Sequence, residues 1–161
     1  MTQSRKRIVT GLDNAKFVKL CTQNGVDFLL VGGAAVLHYG CREDGVTEID
    51  IMVNRMPENA DRIMNVLTQA GVRVDFTSRD LQRPKVQLPI KRYDYFLDLL
   101  TPWLELSYSD LRGRAEAGLL NSTEVQVVSK EDLIKMKEYA VDQLESEADK
   151  HRKDIRCLKA L

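Results

Sequence analysis

The chain carries no surplus of charge of either sign: 24 Lys and Arg stand against 24 Asp and Glu in 161 residues. That removes the overall basic footprint by which many proteins hold a polyanion, although not a local patch. Cysteine is scarce. Cys21, Cys41 and Cys157 are odd in number and widely spaced, a pattern expected to give neither a disulfide framework nor a zinc site and to suit a reducing cytoplasm. No apolar run reaches the length of a membrane span, and no signal-like apolar core follows the charged N-terminus. Repeats and low-complexity segments are missing too. There is no Walker lysine pattern and no Rossmann triple glycine. His38 and His151 pair with no nucleophile at useful spacing, which excludes a Ser-His-Asp or Cys-His reading.

What remains is a chain 43% hydrophobic, enough to bury a core in one domain of residues 1–161. Helical periodicity is expected over 12–24, where Phe17, Leu20 and Cys21 recur before Gly25. It is expected again from Pro57 to Ala70, and from Ser129 onward through Leu133, Ile134, Met136, Tyr139, Ala140 and Leu144. Ser129 and Asp132 resemble a capping box, and Asp149 is placed to cap a last helix. Strands are expected at 27–31, 47–53, 72–76, 85–90, 93–100 and 124–128, with a short helix at 34–39 between the first two. Pro89 near the end of its strand fits a turn or a sheet edge rather than a central strand. The segment 103–120 is left as a connector with a short helix from Ser109. The order predicts an α/β or α+β domain with a mixed sheet and a C-terminal helical part over 129–161.

The stretch Leu29 to Val53 carries the most chemistry. An apolar strand runs into Gly32-Gly33, and a strand-to-helix turn without side chains offers backbone N–H groups to a phosphate. A bare glycine pair also serves simply as a tight turn. Further on, Glu48 and Asp50 alternate on a strand, so both face one side about 6.6 Å apart along it. The plain alternative is a solvated strand face. Asp98 is the one charge inside Phe96-Leu97-Asp98-Leu99-Leu100. Buried alone it is costly; its alternatives are an edge strand facing out or a turn cap near Pro102. Three such carboxylates on neighbouring strands suit two divalent ions, one at the nucleophile and one at a triphosphate. Asp98 would then also serve as general base. Arg42, after Gly40, has the fork for bidentate phosphate contact, and Lys137 lies on the helix after Ser129; both also fit a solvated surface. The basic group Arg79, Arg83, Lys85, Lys91 and Arg92 either steers an anion or is ordinary surface.

These separated segments, in this order, resemble the nucleotidyltransferase fold shared with DNA polymerase beta. The likeness is nearest to small stand-alone members related to abortive-infection type II effectors. Gly32, Gly33, Gly40, Arg42, Glu48 and Asp50 match the family's glycine–glycine, glycine, arginine, acid–apolar–acid signature. Asp98 in Phe-Leu-Asp-Leu-Leu-Thr matches its third acid. Lys130 to Lys137 followed by Arg152-Lys153-Asp154 resembles its C-terminal lysine helix and basic–aspartate pair. The resemblance implies magnesium or manganese held by Glu48, Asp50 and Asp98, and a nucleoside triphosphate donor held by Gly32, Gly33, Arg42 and Lys137. It further implies a hydroxyl acceptor on tRNA, protein or a small molecule, and a toxin–antitoxin or phage-defence setting with a possible partner protein. The chain departs from the pattern in its first acid, Glu48, where aspartate is commoner, in a loop over Cys41–Val46 about one residue longer, and in Ala34, where serine is common. Those departures favour a second reading: a nucleotide- or partner-binding module on the same fold without turnover.

Overall fold

The computed structural model describes residues 5–103, 105–143 and 148–161. Its elements run α1 (Leu12–Gln23), β1 (Phe28–Val31), α2 (Gly32–His38), β2 (Ile49–Val53), α3 (Pro57–Gln69), β3 (Gln87–Ile90), β4 (Leu97–Leu100), α4 (Tyr108–Arg114), β5 (Glu116–Leu120), β6 (Thr123–Val127), α5 (Lys130–Gln143) and α6 (Ala148–Lys159). The six strands form one mixed sheet in the order β3-β4-β2-β1-β6-β5. β2 pairs parallel with β4, and β1 parallel with β6, while the β1–β2, β3–β4 and β5–β6 pairs are antiparallel. This is the expected α/β class with a mixed sheet.

Burial explains the central strands. β1 is apolar along its whole length and buried at every position, as a strand with neighbours on both edges and covered faces must be. Ile49, Ile51, Leu97 and Leu99 are fully buried beside it. β3 takes an edge of the sheet, where the missing N–H of Pro89 does no harm. Ser129 caps α5 as expected, its Oγ accepting from the Asp132 amide at 3.1 Å.

Several boundaries differ from expectation, for backbone reasons. Lys85 and Tyr93 adopt φ of 55° and 56°, so the extended runs begin later, at Gln87 and Leu97. Val72–Phe76 is not a strand. Val72 is buried and Val74 and Phe76 pack against the core, so the alternation buries side chains without a ladder. β5 falls in the segment expected to be a connector. Asn121, at φ 50°, makes the tight turn that pairs Leu120 with Thr123, and that asparagine between apolar alternations was the available signal. Leu144, expected on the α5 face, lies outside the described residues.

The cysteines overturn an expectation. Cys41 and Cys157 form a disulfide with Cα atoms 5.8 Å apart, while Cys21 stays free and buried. The two partners are 116 residues apart in the chain, and only the docking of α6 beside the loop after α2 brings them together. Cysteine usage therefore no longer argues for a reducing compartment. Among the described residues, no helix is long and apolar enough to cross a membrane.

Candidate active site

The sheet register assembles the acids. Asp50 on β2 stands opposite Asp98 on β4 and opposite Val31, the last residue of β1, so Asp50 also meets the first residue of α2. Glu48 lies one residue ahead of β2. One oxygen from each of Glu48, Asp50 and Asp98 falls within 4.8 Å of the others. All three line a cavity of about 670 Å³ together with Gly33, Arg42 and Lys137.

A single buried amide helps set this geometry. Asn14 on α1 is 1% exposed. Its Nδ2 donates to Thr47 O at 2.9 Å and Phe96 O at 3.1 Å, and its Oδ1 accepts from Phe96 N at 2.8 Å. It thereby ties together the backbones just ahead of Glu48 and Asp98. Nothing in the sequence marked it. Asn14→Ala leaves those groups without partners and is expected to destabilise the fold by roughly 3 kcal/mol, read as a lower urea midpoint.

The acids repel one another. Asp98 is 3% exposed; its Oδ2 accepts from Gln87 Nε2 at 3.1 Å, and its Oδ1 is buried with no partner. Burial and then the charge of Asp98 push Asp50 up to about 6. Glu48 is pushed up to about 7, first by hydrogen bonding with Asp98 and then by burial. Lys91 Nζ stands 3.6 Å from Glu48 Oε1 and 4.9 Å from the centre of the Phe96 ring, a partial counter-charge. An all-oxygen donor set, crowded carboxylates and an orphaned buried oxygen fit a hard divalent cation, whose ligands stand at most about 4–5 Å apart across it.

The other end of the cavity is cationic. Gly32 opens α2 at φ 59°, and a Cβ there would collide with the Asp50 carboxylate. Gly32→Ala combines that collision with left-handed strain of about 1–3 kcal/mol; a lower melting temperature and displacement of Asp50 from the acid cluster are expected, the latter read as weakened metal binding. A Cβ on Gly33 would stand 3.0 Å from Arg42 Nη1, so the guanidinium lies across that glycine. Arg42 Nη2 reaches Asp154 Oδ2 at 3.1 Å, and Lys137 Nζ reaches the same oxygen at 3.0 Å. Burial pulls the Lys137 ammonium below its ordinary value against the opposing pull of Asp154. Burial alone would raise Asp154, but Lys137 and Arg42 outweigh it and hold it below the usual carboxylate range.

All seven residues singled out in the sequence thus gather here, six lining the cavity and Gly32 backing it. Of the five-residue basic group, Lys91 lines this cavity. Gln87, Lys150 and His151 also line it without having been foreseen. Asp154 stood inside a recognised segment without an assigned role. His38 is a buried residue hydrogen-bonded through Nε2 to Glu116 at 2.8 Å, apart from the acids.

No family model matches the chain, and no curated protein matches it significantly. Solved structures do resemble it. The crystal structure of ANT(2")-Ia in complex with adenylyl-2"-tobramycin has a TM-score of 0.58 at 18% identity, over 89% of this chain and 84% of that one. The solution structure of ANT(2'')-Ia has a TM-score of 0.58 at 15% identity, over 91% and 86%. An antigenic nucleotidyltransferase-like protein from Paracoccidioides brasiliensis has a TM-score of 0.56 at 13% identity, over 91% and 74%. With its mixed six-stranded sheet and flanking helices, the chain has the fold of these nucleotidyltransferases.

Proposed function

We propose that the protein is a metal-dependent nucleotidyltransferase that moves a nucleoside monophosphate from a nucleoside triphosphate to a hydroxyl acceptor, releasing pyrophosphate. One observation carries the reading. Three carboxylates from β4 and from the start of β2 converge beside a bare glycine turn, and the most buried of them keeps an oxygen without a partner.

Glu48, Asp50 and Asp98 would hold magnesium or manganese, which supplies Lewis-acid charge to the phosphates and lowers the pKa of an attacking hydroxyl. Asp98, whose Oδ1 has no partner within the fold, would accept the acceptor's proton. The α2 amides at Gly32 and Gly33 approach phosphate oxygens closely because no Cβ intervenes. Arg42 and Lys137 neutralise the leaving pyrophosphate. Catalysis of this kind is mostly positioning and electrostatics.

The acceptor is the finer part of the proposal. The motif order supports a stand-alone member of the abortive-infection type II kind, acting on tRNA, protein or a small molecule in a toxin–antitoxin or phage-defence setting in the cytoplasm. The adenylylated tobramycin of the structural neighbour adds small hydroxyl compounds to the acceptors worth testing. The test is transfer of label from alpha-labelled ATP, GTP, CTP and UTP with magnesium or manganese, offered total RNA, a protein lysate, hydroxyl-bearing small molecules or none. Label that moves and is lost with Asp50→Ala supports the enzyme and identifies the acceptor class. No transfer, with nucleotide still raising the melting temperature in a metal-dependent way, would favour the binding module that Glu48 and Ala34 suggest.

A further inference from the structure

The disulfide joins the two segments that shape the cationic end of the cleft. Cys41 immediately precedes Arg42, and Cys157 lies one helical turn beyond Asp154 on α6. Arg42 and Asp154 are themselves ion-paired at 3.1 Å, and Lys137 shares the same Asp154 oxygen at 3.0 Å. A disulfide, a carboxylate and two cations therefore form a continuous linkage from α6 to the first turn of α2. Helix α6 packs chiefly against α5, and the disulfide is its covalent tie to the α2 side of the cavity. Lys150 and His151, which line that cavity, ride on the same helix.

The two bonded cysteines also lie nearer the surface than the third. Cys41 and Cys157 are both partly exposed. Cys21 is buried, and burial pushes its thiol well above the ordinary range, which makes it inert. Redox chemistry on this chain is thus directed to the one pair beside the cleft.

We propose that Cys41–Cys157 is a redox-modification site: a dithiol reductant opens it, and the opened protein grips the triphosphate of a magnesium nucleotide less tightly. The proposal rests on the reading of Gly32, Gly33, Arg42 and Lys137 as the triphosphate cradle. In the step, a reductant thiolate attacks one sulfur, the Cys41–Cys157 bond breaks and a mixed disulfide forms. The reductant's second thiolate then displaces the remaining cysteine. The cysteine pair gains two electrons and two protons, and the reductant leaves as its own disulfide. The direction of the effect follows from preorganisation. In the oxidised protein Asp154 holds Arg42 across Gly33 and Lys137 within the same cavity before any ligand arrives. With α6 untied, placing these groups draws on the binding energy of the ligand.

Isothermal titration calorimetry with magnesium ATP and with magnesium tripolyphosphate tests this. Oxidised wild-type protein is compared with protein reduced by dithiothreitol. Thiols are counted by alkylation and mass spectrometry, and folding is checked by circular dichroism at the assay temperature. On reduction, Kd for both probes is expected to rise about 5–150-fold, the usual span of site-to-site coupling, and reoxidation to restore it. Cys41→Ser with Cys157→Ser should show the weaker Kd whether or not reductant is present. If that variant does not fold, the reversible cycle on the wild type decides alone. An unchanged or tighter Kd in folded, fully reduced protein overturns the proposal while leaving the cradle reading intact. A response of the double variant to reductant also overturns it, since the effect would then arise elsewhere. Oxidised protein that binds neither probe overturns the cradle reading and this inference together.

Discussion

Asp50→Asn is expected to lower nucleotidyl transfer by about 10²–10³-fold or more and, in the same protein, to raise the stability of the metal-free fold at neutral and alkaline pH. The two effects have one origin. Asp50 sits in the sheet between Gly32 and Asp98, where burial and then the Asp98 charge oppose its ionised form. Its carboxyl is raised from 3.8 to about 6, and Glu48 from 4.5 to about 7. A carboxyl whose folded pKa lies above its unfolded value binds its proton more tightly in the folded state. Its favourable contribution is complete below about pH 4 and is lost as pH rises through 6 to 7. For the largely buried Asp50, that rise corresponds to about 3 kcal/mol. Urea unfolding in chelator from pH 4 to 8 should show wild type losing stability relative to Asp50→Asn across that window. Added magnesium should restore it in the wild type and much less in the variant. Parallel pH profiles for the two proteins would refute the destabilisation assigned to ionised Asp50, and undiminished transfer by a folded variant would refute the proposed metal site.

Reduction of Cys41–Cys157 is expected to be the largest single perturbation of stability. The bond joins residues 116 apart, and a loop of that size removes much entropy from the unfolded chain. The chain-entropy account gives nearly 5 kcal/mol, and measured losses of native disulfides run about 2–5 kcal/mol. For a chain of this size that amounts to a melting temperature lower by roughly 10 °C. Differential scanning calorimetry of alkylated, reduced protein against oxidised protein measures it. A change within 1–2 °C, on the same scale, would mean that the ends are already held together by α5–α6 packing and by the Arg42–Asp154 pair. A domain starting in the upper part of the ordinary range of about 5–15 kcal/mol stays folded after such a loss, and ligand binding is compared in the two redox states at a temperature where the reduced protein is folded.

Much of the site was legible before the fold was known because its signals are local. Gly32-Gly33 after Leu29-Leu30-Val31 marks a strand-to-helix turn without side chains. Glu48 and Asp50 are two apart, and β2 needs only strand periodicity to place them side by side. Asp98 stood out as a charge in an apolar run. The residues whose partners the sequence did not show act across the fold. Asn14 is an ordinary polar residue in a helix until α1 lays it against Thr47 and Phe96. Gln87 and Lys91 gain their partners, Asp98 and Glu48, through strand pairing and loop return. Asp154 becomes the shared partner of two cations from different elements only when α6 docks.

The sequence by itself determined the order of helices and central strands, the glycine turn and the identity of the three acids, because periodicity and local chemistry are written within a few residues. Strand boundaries at Lys85, Tyr93 and Asn121 depended on backbone angles that residue type alone does not dictate. Only the tertiary structure decided that Asp50 faces both Gly32 and Asp98, that Arg42 lies across Gly33, and that Cys41 bonds Cys157. Each of those is a contact between segments distant in the chain. Such contacts are selected by which faces bury together and which strand registers close the sheet, and no short-range pattern encodes that choice.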